Sequence, residues 1–263
     1  GAIVNLDSLE QIELWNKVSG GGEYGIRCNI GNLIKPRKTR AGYFLGKSSR
    51  LGLSLPEMKT LKGNTRVKGL HLYVGTDIMD IDYFMECYRK LGAFANWYPQ
   101  LEYMDVGGGF GIEDEDLSFD FDLKTYGEKV TTFMEEISAQ SGNPLTLIME
   151  PGRILGGKAG YFACKLVDVK WRQKNQIAGV NASVSQFPRP LFYPDTASHP
   201  VAILDSTGQQ RPKEEILSAI HGCSTYSRDF LAKNVHLGRM CPGDRVVFGH
   251  AGSYCASSYT EFL

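Results

Sequence analysis

Short apolar segments alternate with amphipathic helical segments along the first part of the chain, and this alternation limits the possible folds. Helix starts are marked by Asp7-Ser8, with the helix ending near Val18, and by Pro56-Glu57. Because parallel strands need long crossover connections, the alternation predicts a parallel sheet or barrel. The predicted strands are Ala2–Asn5, Tyr24–Ile30, Val67–Val74, Leu101–Val106 and Leu145–Met149. Two further helices are predicted at Asp80–Ala95 and Leu123–Ala139, and the second has Phe133 and Ile137 on one face.

The pattern changes after Arg153 to short strand-like runs separated by turn residues, which predicts a mainly antiparallel region. We place the domain boundary near Gly156-Gly157, so that residues 1–156 and 157–263 form two domains. Predicted strands here are Tyr161–Val169, Ile177–Val180, Val201–Leu204 and Arg245–Gly249, and only Lys213–Ile220 is predicted to be helical.

Charge and cysteine content exclude several classes of protein. The 29 basic and 29 acidic residues give a net charge of zero, so we expect no nucleic-acid partner. No apolar run approaches the roughly 18 residues of a membrane helix, and the first residues do not form a signal peptide. The 6 cysteines form no C-x-x-C pair, which predicts reduced thiols in a cytoplasmic protein and no metal site.

A basic run lies within the loop predicted for Asn32–Leu53. It contains Lys35, Arg37, Lys38, Arg40, Lys47 and Arg50. A solvated, mobile loop is the simpler interpretation, and a lid over an anionic substrate is the alternative.

Two motifs at predicted strand ends carry the chemistry. Gly107-Gly108-Gly109 follows one apolar strand and leaves backbone N–H groups bare for an anion. Glu150-Pro151-Gly152-Arg153 follows another strand and places a carboxylate near a guanidinium. Each motif alone is compatible with an ordinary turn. Together they suit a small ligand with a phosphate and a basic ring nitrogen, such as pyridoxal 5'-phosphate.

With these motifs the chain resembles the alanine-racemase-type (fold type III) pyridoxal-phosphate decarboxylases, which act on diaminopimelate, ornithine, arginine and related amino acids. The resemblance implies an α/β fold, a pyridoxal-phosphate-binding (β/α)8 TIM-type barrel followed by a C-terminal antiparallel β-domain. It implies that Glu150 pairs with the ring nitrogen. It also implies that Gly107, Gly108, Gly109, Arg153 and Tyr254, the last within Gly252-Ser253-Tyr254, bind the phosphate side. Arg27, Asn29 and Ser49-Arg50-Leu51-Gly52 match further family segments.

The segment from His71 to Thr76 is similar to the family's His-x-His-x-Gly-Ser, with Tyr73 at the histidine that stacks on the cofactor. An aromatic face can still stack, and Thr76 keeps a hydroxyl for the phosphate. The alternative for Tyr73 is a core aromatic on a strand. The Tyr/Thr combination resembles decarboxylases whose glutamate substrate is tethered to a carrier protein in butirosin-type pathways.

Two segments are assigned to the substrate. Arg189-Pro190-Leu191-Phe192-Tyr193 resembles the Arg-Pro-x-x-Tyr of the diaminopimelate branch, where the arginine holds a carboxylate; an exposed turn arginine is the alternative. Gly222–Asp229 resembles the loop that enters the other subunit's active site, which implies a homodimer with shared sites. There Thr225 takes the catalytic cysteine's place. Cys223 is then an ordinary buried thiol, unless a local shift returns it to the site. Tyr226 and Asp229 are expected near the substrate.

One departure from the family is the lysine that anchors the cofactor, since no lysine here has its sequence context. Only five β/α units are visible where eight are expected, so the N-terminal barrel units are expected to be missing from this chain and supplied by a longer protein or another polypeptide.

The sequence therefore predicts a pyridoxal-phosphate-dependent amino-acid decarboxylase, with a specialised secondary-metabolite or siderophore substrate as a further hypothesis. A racemase is disfavoured by Glu150, because racemases of this fold place arginine there. A non-catalytic regulator is favoured by the absent lysine and disfavoured by the retained phosphate-side residues.

Overall fold

The computed structural model describes residues 2–35, 44–112, 121–194 and 197–261. The basic residues Arg37, Lys38 and Arg40 of the predicted loop lie outside these ranges. The described residues fall into two units, within Gly1–Gly111 and Phe121–Pro151 for the first, and within Ile112–Asp120 and Gly152–Leu263 for the second. The domain boundary near Gly156-Gly157 stays a prediction.

The first unit is a five-stranded parallel sheet in the order β1-β2-β3-β4-β5. Each strand is followed by a helix or by the loops that lead to the next one, which confirms the predicted alternation. The elements are β1 (Asn5–Leu6), α1 (Leu9–Val18), β2 (Tyr24–Arg27), α2 (Leu55–Thr60), β3 (Val67–His71), α3 (Ile81–Gly92), β4 (Tyr103–Asp105), α4 (Leu123–Ser141) and β5 (Thr146–Ile148).

The helices of this unit begin at side-chain caps that the sequence marks. The Ser8 hydroxyl accepts a hydrogen bond from the Gln11 amide at 3.2 Å, and the Asp80 carboxylate accepts one from the Tyr83 amide at 3.0 Å. Such caps satisfy amides that have no partner within the helix. Phe133 of α4 is buried on the predicted face, as is Ile137.

Strands β2 and β3 end earlier than predicted, at Arg27 and His71 rather than at Ile30 and Val74. Most of the residues that follow remain apolar and buried, namely Cys28, Ile30, Leu72 and Val74, but they leave the ladder to form loops at the carboxyl edge of the sheet. Hydrophobicity alone could not locate this departure, because it is the same in the buried loop and in the strand.

The second unit is a six-stranded sheet in the order β10-β9-β7-β6-β11-β8, in which only the β7–β9 pair is parallel. The predicted antiparallel β-domain is thus confirmed. Its hydrophobic core includes Leu166, Val180, Phe187 and Phe248, which are all fully buried. The elements are α5 (Arg153–Gly156), β6 (Phe162–Arg172), β7 (Asn175–Val180), α6 (Arg189–Phe192), β8 (Val201–Leu204), β9 (Ile216–His221), β10 (Phe230–Leu237) and β11 (Arg245–Phe248).

The helix predicted for Lys213–Ile220 is wrong, since this segment contains strand β9. Ser218 and Ile220 are buried and their neighbours are less so, which is the two-residue period of a strand. Strand β9 lies between β7 and β10, and the sequence analysis did not predict β10. The strand partners therefore overrode a weak local helical signal. Within the described ranges, no helix has the length and apolarity needed to cross a membrane.

Candidate functional site

Three polar side chains meet at the carboxyl edge of the parallel sheet. His71 ends β3, Asp105 ends β4 beside it in register, and Glu150 follows β5. One polar atom from each of the three lies within 4.8 Å of the other two. The sequence separates them widely, and the parallel register brings them together because the same ends of parallel strands share an edge.

The glycine loop after β4 passes so close to other backbone that no side chain fits. A Cβ atom on Gly107, Gly108 or Gly109 would lie 2.6, 2.2 or 2.1 Å from a backbone oxygen of Leu72, Glu150 or Gly75. Gly107 and Gly109 also adopt φ values of 64° and 98°, which favour glycine. The loop is thus a close-packed turn with glycine required at each position.

Hydrogen bonds hold this loop in place and change one expectation about it. The Gly107 amide donates to Asp105 Oδ1 at 3.0 Å, and the Glu150 amide donates to the Gly107 carbonyl at 2.8 Å. The Gly107 N–H is therefore occupied by Asp105 and is not bare, contrary to the prediction. Gly108 and Gly109 are the glycines left to contact an anion in this loop.

The electrostatics of the cluster favour a cationic ligand. Burial, and then the nearby charge of Asp105, raise the pKa of the half-exposed Glu150 carboxyl, while Arg27 acts in the opposite direction. Burial is also the main cause that lowers the pKa of His71, so its ring is neutral at pH 7. Both ring nitrogens of His71 are buried without a hydrogen-bond partner among the described residues. Two carboxyl groups thus face each other beside a neutral imidazole.

Tyr73 and Thr76 lie in the loop after β3. The Tyr73 hydroxyl and Thr76 Oγ1 are 3.0 Å apart, and the ring of Phe44 contacts Tyr73 edge-on at 4.9 Å between centroids. Tyr73 is half-buried and follows the strand, so the alternative of a core aromatic on a strand is wrong. Its stacking on a cofactor stays a prediction.

The remaining phosphate-side residues, Arg153 and Tyr254, belong to the second unit. Arg153 is the first residue of α5 and is 4% exposed. Tyr254 is half-exposed and its backbone has a φ of 56°. A Cβ added at Gly152 would lie 2.7 Å from the Tyr254 hydroxyl oxygen. The Gly252-Ser253-Tyr254 segment is a turn after β11. It packs so closely on α5 that a Cβ on Gly252 would lie 1.9 Å from the Gly156 carbonyl oxygen.

The predicted substrate arginine is buried and bound to a histidine that the sequence analysis missed. Arg189 is 2% exposed, so the alternative of an exposed turn arginine is wrong. Its Nε donates to His199 Nε2 at 3.3 Å, and His199 Nδ1 lies 2.9 Å from the Gly249 carbonyl oxygen. With Nε2 as acceptor, Nδ1 carries the proton and donates to that carbonyl. The Tyr193 ring lies 5.6 Å from the guanidinium.

The loop assigned to the catalytic cysteine position is organised by Asp229. This carboxylate is buried, accepts from the Val184 amide at 2.9 Å, and accepts from the Ser224 amide and hydroxyl at 2.9 and 2.6 Å. Thr225 is exposed and Tyr226 is half-buried. Cys223 is exposed, so the interpretation of this residue as a buried thiol is wrong, whereas the prediction that all six cysteines are free is confirmed.

These residues fit the cofactor suggested by the sequence. A protonated ring nitrogen would place a positive charge beside the crowded carboxyl groups of Glu150 and Asp105. Backbone packing requires glycine at positions 108 and 109, and the N–H groups of these two residues are the groups of the loop that could contact an anion. The fit concerns the ring nitrogen and the phosphate, and no lysine of the first unit occurs in the family's anchoring context.

Comparison with known proteins agrees with this chemistry. The family model described as "Pyridoxal-dependent decarboxylase, pyridoxal binding domain" matches residues 2–157. Diaminopimelate decarboxylase of Helicobacter pylori is 25% identical over 198 residues, which cover 73% of this chain and 46% of that protein. Diaminopimelate decarboxylase of Neisseria meningitidis is 26% identical over 275 residues, covering 98% of this chain and 63% of that protein.

Solved structures share the fold. A diaminopimelate decarboxylase from Helicobacter pylori complexed with L-lysine superimposes with a TM-score of 0.79 at 22% identity, covering 99% of this chain and 65% of that one. A lysine/ornithine decarboxylase from Vibrio vulnificus complexed with cadaverine gives 0.75 at 17% identity, covering 99% and 65%.

The chain spans about half of the Helicobacter relative and about two thirds of these structures. The family match nevertheless covers more than half of the 263 residues. Pyridoxal phosphate is the cofactor of this family. From its parallel sheet, its glycine loop and this match, the chain belongs to the pyridoxal-dependent decarboxylases.

Proposed function

We propose that the protein carrying this chain decarboxylates an α-amino acid of the diaminopimelate class with pyridoxal phosphate. The observation that supports this most is the Glu150 carboxyl, which stands beside the glycine loop and the Asp105 carboxylate, and on which Asp105 acts more strongly than the cationic Arg27 among the residues that the structure describes. The names of the relatives support the substrate class.

When bound, pyridoxal phosphate supplies an electron sink for the bond that breaks. The residues of this chain bind and orient it. In the proposal, Glu150 keeps the ring nitrogen protonated, and Gly108, Gly109, Arg153 and Tyr254 hold the phosphate. Tyr73 offers an aromatic face and Thr76 a hydroxyl.

Arg189 is proposed to hold a substrate carboxylate, because a planar guanidinium can form two parallel hydrogen bonds to it. His199 fixes the guanidinium from its Nε side. The loop with Thr225 is proposed to serve the site of a second subunit in a homodimer, with Asp229 as its internal support and Tyr226 near the substrate.

Changing His199 to alanine is expected to raise the KM for the amino-acid substrate about tenfold, while kcat changes much less. The physical reason is that a lost hydrogen bond to a charged group costs about 1.5–3 kcal/mol, part of which relaxation of Arg189 recovers. Steady-state kinetics on CO2 release measure this. His236→Ala, at an exposed position of β10, is the control and should behave as wild type. An unchanged KM in His199→Ala would contradict the role.

The proposed function is tested by CO2 release from diaminopimelate, lysine, ornithine and glutamate, each with added pyridoxal phosphate. Turnover on diaminopimelate supports the proposal. Turnover on none of them, with the cofactor bound, would favour the specialised or carrier-tethered substrate that Tyr73 and Thr225 suggest.

A regulator is the second candidate, because no lysine of the chain has the anchoring context. Borohydride reduction in the presence of pyridoxal phosphate, followed by intact mass measurement, separates the two. A covalent adduct on a lysine supports the enzyme, and its absence supports the regulator or a protein whose anchoring lysine is on another polypeptide.

A further inference from the structure

The Glu150 carboxyl does not stand alone at the sheet edge. Behind it lies Asp105, which is 2% exposed and held from two sides. Its Oδ1 accepts from the Gly107 amide at 3.0 Å and its Oδ2 accepts from Asn5 Nδ2 at 3.0 Å. Asn5 is itself oriented, since its Oδ1 accepts from the Tyr103 hydroxyl at 2.8 Å. Asp105 is therefore fixed in position before any ligand binds.

The donors that hold Asp105 are neutral, so its charge is not cancelled by them. Among the described residues, two basic side chains from the neighbouring strands act on this pair. His71 from β3 is kept neutral by burial. Arg27 from β2 lies 3.6 Å from Asp7, which follows β1, so that its charge is shared with that carboxylate. Two carboxyl groups this close do not both ionise readily in a partly buried site.

We propose that Asp105 is a positioning residue that acts through Glu150: its fixed negative charge beside Glu150 favours the neutral form of that carboxyl until a cationic ring nitrogen binds. This inference rests on the proposed function, because the ring nitrogen is that of pyridoxal phosphate. The same bonds that fix Asp105 also fix Gly107, so one carboxylate prepares both the ring-nitrogen partner and the glycine loop.

The proton balance of binding follows from this arrangement. Where Glu150 is protonated before binding, the pair carries one proton and one negative charge. Glu150 would then give its proton to a ring nitrogen that arrives unprotonated, and no proton would be exchanged with solvent. With a ring nitrogen that arrives protonated, the Glu150 proton would go to solvent. In both cases the bound state has two carboxylates and one pyridinium, so its net charge is again one negative charge.

The test is a titration of Glu150 by carboxyl-13C NMR in the whole protein, with and without pyridoxal phosphate. The resonance is assigned by its loss in Glu150→Gln. In the cofactor-free protein we expect Glu150 to titrate above an ordinary glutamate, and Asp105→Asn to lower the midpoint by about one pH unit. With the cofactor bound, Glu150 should stay ionised across the same pH range.

Two control variants separate the charge of Asp105 from its structural role. Asn5→Ala removes one hydrogen bond to Asp105 but keeps the charge, so the midpoint should stay at the wild-type value. The double variant Asn5→Asp/Asp105→Asn keeps a hydrogen bond between the two positions and moves the charge away from Glu150. It should lower the Glu150 midpoint as the single variant does. If Asp105→Asn alone fails to fold, the double variant still tests the effect of the Asp105 charge.

An unchanged Glu150 midpoint in both Asp105 variants would overturn the inference. A midpoint in Asn5→Ala that falls as far as in Asp105→Asn would overturn it too. Failure of the proposed function looks different. In that case wild-type protein would not bind pyridoxal phosphate, whereas the dependence of the Glu150 midpoint on Asp105 would still be observed.

Discussion

Alanine at Gly109 is expected to destabilise the protein by about 3 kcal/mol or more, the range of a severe backbone clash. Its Cβ would lie 2.1 Å from the Gly75 carbonyl oxygen, and its φ of 98° is strained for any side chain. Backbone cannot move aside as a flexible side chain can, and the Gly109 carbonyl also accepts from the Ile78 amide at 2.9 Å. Urea unfolding measured by circular dichroism gives the free energy.

Gly63→Ala is the matched control for this prediction. Gly63 has a similar φ of 83° but no atom within 4 Å of an added Cβ. Gly63→Ala should therefore lower the free energy of unfolding only by the cost of the left-handed conformation, about 1–2 kcal/mol. If the two variants lost the same free energy, the close approach at Gly109 would contribute nothing. We also expect Gly109→Ala to weaken pyridoxal-phosphate binding, even under conditions where the variant remains folded.

The second large effect is expected for Glu150→Gln, which should lower kcat about 10²–10³-fold, as the loss of one preorganised electrostatic partner does in other enzymes. An amide cannot hold a proton on the ring nitrogen as a carboxylate can, so the cofactor would draw electrons less strongly. The shape of the side chain is nearly unchanged, and the backbone bond from the Glu150 amide to Gly107 remains. Substrate KM should therefore change little.

Steady-state kinetics with saturating cofactor test this effect, and the cofactor's absorbance spectrum reports the protonation of its ring. Glu136→Gln on the exposed side of α4 is the control, and we expect wild-type kinetics from it. Activity of Glu150→Gln within threefold of wild type would rule out the proposed role of the carboxylate.

Much of the first unit could be predicted because its signals are local. The caps at Ser8 and Asp80, the helical period that buries Phe133, and the glycines after β4 are all readable within a few residues. Such features fix the element type and the sites where the chain must turn, since they depend on near-neighbour sterics and hydrogen bonds. The family resemblance extended them to a fold.

Other features depended on partners far along the chain. The segment at Ile216–His221 is a strand because β7 and β10 pair with it, and its own residues gave a weak contrary signal. Asp229 was expected at the substrate, but its described hydrogen bonds all support its own loop and the neighbouring Val184 amide. Burial of Arg189 against His199 likewise has no signature in spacing.

The alternation of strands and helices, the glycine loop and the identity of the carboxylate after β5 could be predicted from residues close together in the chain. The groups that surround this carboxylate could not, because they come from distant segments. Asn5 and Asp105 are 100 residues apart, and parallel pairing through β2 and β3 brings their side chains into hydrogen-bond contact. The raised pKa of Glu150 depends on these through-space distances, because electrostatic interactions follow separation in space and local dielectric, not position along the chain.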